Sequence, residues 1–145
     1  MTQRDTVHHV SRHFTLRLAD TTHERLLRRA RRTSQPPRAL AQRYVEEGLR
    51  RDEHPLVHFV DGPAGRRPRL LSGPDVWEVV TGAQDHQGDV GATAASLSIP
   101  PHTVEAGLRY YAAYREEIDR WVDENDEAFA EGQAAWSAGR SALER

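Results

Sequence analysis

The chain has no cysteine and no lysine. Without cysteine there is neither a disulfide framework nor a thiolate metal site, and a reducing cytoplasm fits. The missing lysine leaves all 20 basic side chains as arginine; GC-rich coding accounts for that as readily as function does. Long apolar runs are also missing. No run approaches the ~18 apolar residues of a membrane span, and the N-terminus lacks an apolar leader. A cytoplasmic protein with no membrane partner is expected. Enzyme signatures are poor too: no Gly-rich phosphate loop, nucleophile elbow or paired-carboxylate motif occurs. Histidines such as His8, His9 and His13 lie on backbone that reads as extended or irregular, which does not align metal ligands as a helix does. No catalytic residue, metal or cofactor is expected.

What is present is a charge split. The 145 residues have room for one domain or two small ones. Net charge is only −2, yet residues 1–51 carry 12 arginines against 5 acids, net +7, while residues 52–145 carry 8 against 17, net −9. A polyanion partner at one end and a different partner at the other follow from that asymmetry.

Residues 1–11 are polar and read as a flexible N-terminus. In HFTLRLAD, residues 13–20, Phe14, Leu16 and Leu18 alternate with His13, Thr15 and Arg17, the period of a half-buried strand. Thr21 with Glu24 reads as a capping box opening a helix over about 22–33. Ser34-Gln35-Pro36-Pro37 breaks it, and a second helix runs to about 52, stopping before Pro55. One strand and two amphipathic helices bury too little to fold alone, and a lone strand leaves its backbone unpaired. Two chains solve both problems by pairing strands antiparallel, with Phe14, Leu16, Leu18, Leu26, Ala30, Leu40, Tyr44 and Val45 as the dimer core. His13, Thr15 and Arg17 then face outward, and such a ribbon fits the DNA major groove. A plain edge strand of a small α+β domain is the competing reading.

These residues, roughly 12–51, resemble a ribbon-helix-helix DNA-binding domain of the CopG/Arc/MetJ kind. The resemblance implies base reading by His13, Thr15 and Arg17 and phosphate binding by Ser34, Gln35 and Arg38. The chain departs from the family's Gly-x-Ser-x-Ser break; its two prolines remove amide donors and shift weight onto Arg38 and the helix dipole.

The second half opens with Leu56-Val57-His58-Phe59-Val60 as a short strand, a turn at 61–65, and a return strand at 67–71. Asp75 with Glu78 caps a helix carrying Val76, Trp77, Val79 and Val80. A short helix over about 90–97 ends at Ser98-Ile99-Pro100, and a long one starts at Pro101, the helix-turn-helix outline. The stretch from Val57 to about Trp121 resembles a small domain of unknown function found in bacterial antitoxins, on Pro68 through Trp77 and Leu97 through Tyr111. It departs from that pattern at Ser72-Gly73-Pro74, where the family has Gly-Thr-Arg. DNA reading by its second helix would use Thr103, Glu105, Arg109 and Tyr110. The module's acidity ranks that below a packing or partner-binding role.

The end of the chain is acidic at 123–131. It is either a frayed tail or a segment that orders on a partner, with Trp136 as anchor. The expected fold is mainly α with short β: an N-terminal ribbon-helix-helix domain (12–53) whose two-stranded ribbon is intermolecular, a small α-rich helix-turn-helix-like domain (56–120), and an acidic C-terminal helix or tail (121–145). The resemblance implies an antitoxin of a type II toxin–antitoxin system. It would bind double-stranded operator DNA as a homodimer or higher oligomer and neutralise a protein toxin, a PIN-domain ribonuclease. Trp121, Trp136, Arg140 and Arg145 are the candidate toxin contacts. A free-standing repressor whose second domain mediates oligomerisation or ligand sensing is the alternative.

Overall fold

The computed structural model describes residues 12–71 and 73–143. Among them the order is α1 (Asp20–Arg32), α2 (Pro37–Glu53), β1 (Val57–Gly62), β2 (Gly65–Leu70), α3 (Val76–Asp85), α4 (Val90–Leu97), α5 (Pro101–Ala113) and α6 (Arg115–Leu143). The chain divides into two compact units, the first ending at Arg43 and the second beginning at Tyr44.

In the first unit, residues 12–19 form no helix or strand. The expected ribbon is therefore corrected. The two-stranded antiparallel sheet among the described residues is formed by β1 and β2, after the first two helices and within one chain. The physical reason is that period-2 alternation specifies which face a strand would bury but supplies no edge to pair with. Phe14 and Leu16 of the expected dimer core are 83% and 61% exposed, Leu18, Tyr44 and Val45 are exposed, and Leu26 is half-buried. Ala30 and Leu40 are the expected core residues that are buried.

The first helix starts one residue before its expected cap, at Asp20, with Ala19 as N-cap and no side-chain cap bond. Asp20 instead places a carboxylate in the first turn, where the helix dipole favours it. The helix ends in a turn where Thr33 N–H donates to Arg29 O and Gln35 N–H to Ala30 O, at 3.0 Å each. Ser34 there takes φ +52°. Pro37 then opens α2, where a missing amide costs nothing.

The second unit builds its own core. Backbone pairing runs from Val57 opposite Leu70 to Gly62 opposite Gly65. Gly65 has φ +123°, a turn conformation that L side chains rarely adopt. Val57 and Leu70 point into a cluster with Val76, Val79 and Val80 of α3, Val104 and Tyr110 of α5, and Ile118 of α6. Each such side chain contributes about 1.5–3 kcal/mol of apolar burial. Helix α5 approaches α3 at Gly107, where a Cβ would stand 3.0 Å from Val79 Cγ1. The expected cap of α3 is present, with Asp75 N–H donating to Glu78 Oε2 at 2.7 Å. The single long helix expected from Pro101 is instead broken at Tyr114 into α5 and α6. The acidic end is helical to Leu143.

Candidate functional site

Two surfaces stand out, one in each unit. On α1, positions 25, 28, 29 and 32 fall within a stripe about 100° wide, because successive residues turn by about 100°. All four are exposed arginines. The stripe lies opposite half-buried Leu26 and Leu27 and buried Ala30. The helix's two acids, Asp20 and Glu24, fall outside it by the same geometry. Among the described residues no ion pair holds any of the four. Over residues 12–43 nine arginines stand against two acids, net +7. Four guanidiniums about 10 Å from end to end on one helix face match a phosphate backbone.

The residues expected to read bases, His13, Thr15 and Arg17, are exposed on the irregular segment before α1 and are not presented by a paired strand. Ser34, Gln35 and Arg38 do lie together around the α1–α2 turn. Ser34 N–H, however, donates to Arg31 O (3.3 Å) and Gln35 N–H to Ala30 O. Positions 36 and 37 are prolines and have no amide hydrogen. The Gln35 side chain accepts from Arg43 Nη1 at 3.2 Å. The turn thus has few amides left for an anion, and exposed Arg38 is the group that remains.

In the second unit, residues 44–143 carry nine arginines against eighteen acids, net −9. A polar network fastens the end of α2 to the α5–α6 junction. Arg50 Nη1 donates to Tyr110 Oη (2.8 Å) and Glu117 Oε2 (2.5 Å), and its Nε to Glu46 Oε1 (2.8 Å). Its guanidinium lies 4.0 Å from the ring centre of Tyr114, and His54 packs edge-on to Tyr110 at 5.1 Å. Burial works against the Arg50 charge, but the hydrogen bonds to Glu117 and Glu46 outweigh it, and its pKa is raised. Burial, then the Glu117 charge, raises Tyr110 and keeps it a neutral phenol. Arg66 of the hairpin forms a bidentate pair with Glu47, which raises its pKa. Asp75 accepts from Arg67 and from Trp77 Nε1 (3.3 Å), with Arg69 3.6 Å away. These bonds join residues up to 67 positions apart. No short motif announces them.

The α4–turn–α5 segment keeps the helix-turn-helix outline, with Ser98 left-handed at the turn. Of its candidate reading residues, Thr103 and Tyr110 are buried, so Glu105 and Arg109 are the ones that remain exposed. One arginine beside one glutamate gives no net attraction for phosphate.

Helix α6 carries the second surface. Its one buried residue is Ile118. From Asp123 onward every described side chain is exposed except half-buried Asn125. Phe129, Trp136 and Leu143 recur at seven-residue intervals and are 69%, 66% and 87% exposed. Trp121, by contrast, is half-buried and lines a cavity of about 310 Å³ with Gly65, Arg66, Glu117, Arg120 and Glu124. Trp121 and Trp136 are fifteen helical positions apart, about 22 Å, so the expected toxin contacts are not one cluster. Arg140 shares the Trp136 end; Arg145 lies outside the described residues. The sequence signal for this stripe was the heptad spacing from Val122 to Leu143, and for the basic stripe the arginine spacing on α1. Among the described residues no cluster of histidines and carboxylates is suited to a metal ion, and no helix is long and apolar enough to cross a membrane. Comparison with protein-family models, curated proteins and solved structures finds no match to this chain.

Proposed function

We propose that the chain is an antitoxin-type regulator: its basic N-terminal unit binds operator DNA and its acidic C-terminal unit neutralises a protein toxin. The observation that carries this reading is that the two structural units carry opposite net charge. The described part of the first unit is net +7 and that of the second net −9, with the boundary at Arg43–Tyr44. Phosphate contacts dominate affinity for DNA, and only the first unit offers them in quantity. DNA engagement is assigned to Arg25, Arg28, Arg29 and Arg32 of α1, with Arg38 beside the turn.

The acidic unit suits a basic partner surface. The resemblance read from the sequence, to antitoxins paired with PIN-domain ribonucleases, implies one, because a ribonuclease presents a cationic flank to RNA. Its catalytic carboxylates would repel the 123–131 run, so contact falls on that flank. On this chain the place assigned to it is the Trp121 cavity, where an apolar ring sits among Arg66, Glu117, Arg120 and Glu124 at the start of the acidic 123–131 run.

The test uses the full chain and a ribonuclease encoded beside it. The Arg25/Arg28/Arg29/Arg32→Ala variant is expected to lose binding to its own upstream DNA while still rescuing growth from the ribonuclease. Trp121→Ala is expected to do the reverse. Loss of both activities in the arginine variant would contradict the division. DNA binding with no effect on the ribonuclease would instead identify a free-standing repressor.

A further inference from the structure

We infer that the exposed half of α6 pairs antiparallel with the same helix of a second copy, over residues 125–143. The pairing uses groups distinct from the DNA and Trp121 surfaces and stands independently of them.

The stripe Phe129, Trp136, Leu143 continues the side of α6 on which Ile118 is buried, with the small drift of about 20° per heptad that a straight helix shows. Ile118 is fully covered; the rest of the stripe has nothing over it. A helix of this composition does not hold by propensity alone, because tertiary packing of its apolar face supplies most helical stability. The heptad's second seam position is filled by Gly132 and Gly139, and a Cβ at either would meet nothing within 4 Å. Large side chains and empty positions therefore alternate along one face.

The direction and register follow from fitting that face to itself. In a parallel pair each residue meets its own copy: Trp136 crowds Trp136, the glycines oppose glycines, and the acidic runs at 123–131 lie side by side. In an antiparallel pair centred near residue 134 every aromatic faces a glycine, Phe129 against Gly139 and Trp136 against Gly132, each twice by symmetry. Knobs then enter holes that are already open. Alanines at 128, 135 and 142 border the seam on one side and allow close approach of the helix axes. On the other side Arg140 comes opposite Asp126 of the second copy. The charges that clash in parallel become complementary, and such flanking pairs set partner orientation. This charge pattern points to a second copy as the occupant; an unrelated apolar groove would have no use for the glycine spacing or for Arg140 at that distance from Asp126.

The test exploits the absence of cysteine. Single cysteines are placed in the full chain at exposed alanines, which leaves the fold undisturbed. Ala135 lies next to the two-fold centre and meets its own copy, so Ala135→Cys is expected to convert largely to a disulfide-linked species of doubled mass under mild oxidation. Ala142→Cys alone is expected to stay monomeric in mass, because its opposite is Ala128, and to link when mixed with Ala128→Cys. Trp136→Glu in the Ala135→Cys background is expected to abolish the link. Failure of Ala135→Cys to link overturns the pairing, as would occupation of the stripe by another protein. Self-linking of Ala142→Cys as efficient as that of Ala135→Cys would overturn the antiparallel register.

Discussion

The two units are built from the same kind of amphipathic helix and yet settle differently. The second places Val57, Leu70, Val76, Val79, Val104, Tyr110 and Ile118 in one cluster, each 2% exposed or less. The first leaves Phe14 and Leu16 outside and, among its described residues, buries Ala30 and Leu40. The difference lies in what each unit has to close on. The second unit has a hairpin, with its own turn, against which α3 and α5 close, and α6 then packs on α3. The first has two helices and an extended segment with no sheet edge to receive it. The unit that leaves its apolar residues outside also holds the excess positive charge.

That contrast can be broken by mutation, and the largest effect belongs to the second unit. Ile118→Ala removes the one buried side chain of α6 and is expected to cost about 2–5 kcal/mol, read as a lower denaturant midpoint. Leu16→Ala, at a position already exposed, should leave the midpoint nearly unchanged if the first unit's apolar residues are not a core within the single chain. A large cost there would mean that a second copy buries them.

Asp75→Ala comes next. It strands Arg67, Arg69 and the Trp77 indole N–H around a site that is 9% exposed on the Asp75 side chain. The loss of an acceptor shared by such donors costs about 1–3 kcal/mol. Asp75→Asn should recover part of it, since one oxygen remains to accept.

A smaller loss is expected at Tyr110. Its phenol is held neutral in the folded state, with a pKa raised first by burial and then by Glu117. The unfolded chain ionises its tyrosines near pH 10. Above that pH the unfolded state binds fewer protons than the folded one, so this contribution is complete below about pH 10 and declines as pH rises further. Tyr110→Phe removes the hydrogen bond that the hydroxyl accepts from Arg50 (2.8 Å) and the long one it donates to Glu117 (3.4 Å), costs about 0.5–1.5 kcal/mol at neutral pH, and should make the alkaline decline shallower.

How much of this the sequence disclosed depends on the range of the interaction. The hairpin, the Asp75–Glu78 cap, the short helix ending at Ser98 and the start at Pro101 are local matters of turn and cap chemistry, and the structure has them. The alternation at Phe14, Leu16 and Leu18 was equally clear, but a strand is a relation between two segments and the alternation names only one. Arg50, Tyr110 and Glu117 meet across more than sixty residues, where no spacing rule operates. The break at Tyr114 is not legible because Val104, Leu108, Tyr111, Ile118 and Val122 keep the helical period across it; of the two readings of the acidic end, helix or tail, the helix forms.

We place phosphate binding in the arginine stripe of α1. Affinity for duplex DNA measured at a series of salt concentrations tests it most directly, comparing the unaltered chain with the Arg25/Arg28/Arg29/Arg32→Ala variant. Each phosphate contact contributes about 0.9 to the slope of log affinity against log salt, so four contacts correspond to a change of roughly 3.6. The expected result is a slope shallower by that order with weakened binding to all sequences. An unchanged slope in the variant would move the DNA surface elsewhere on the chain.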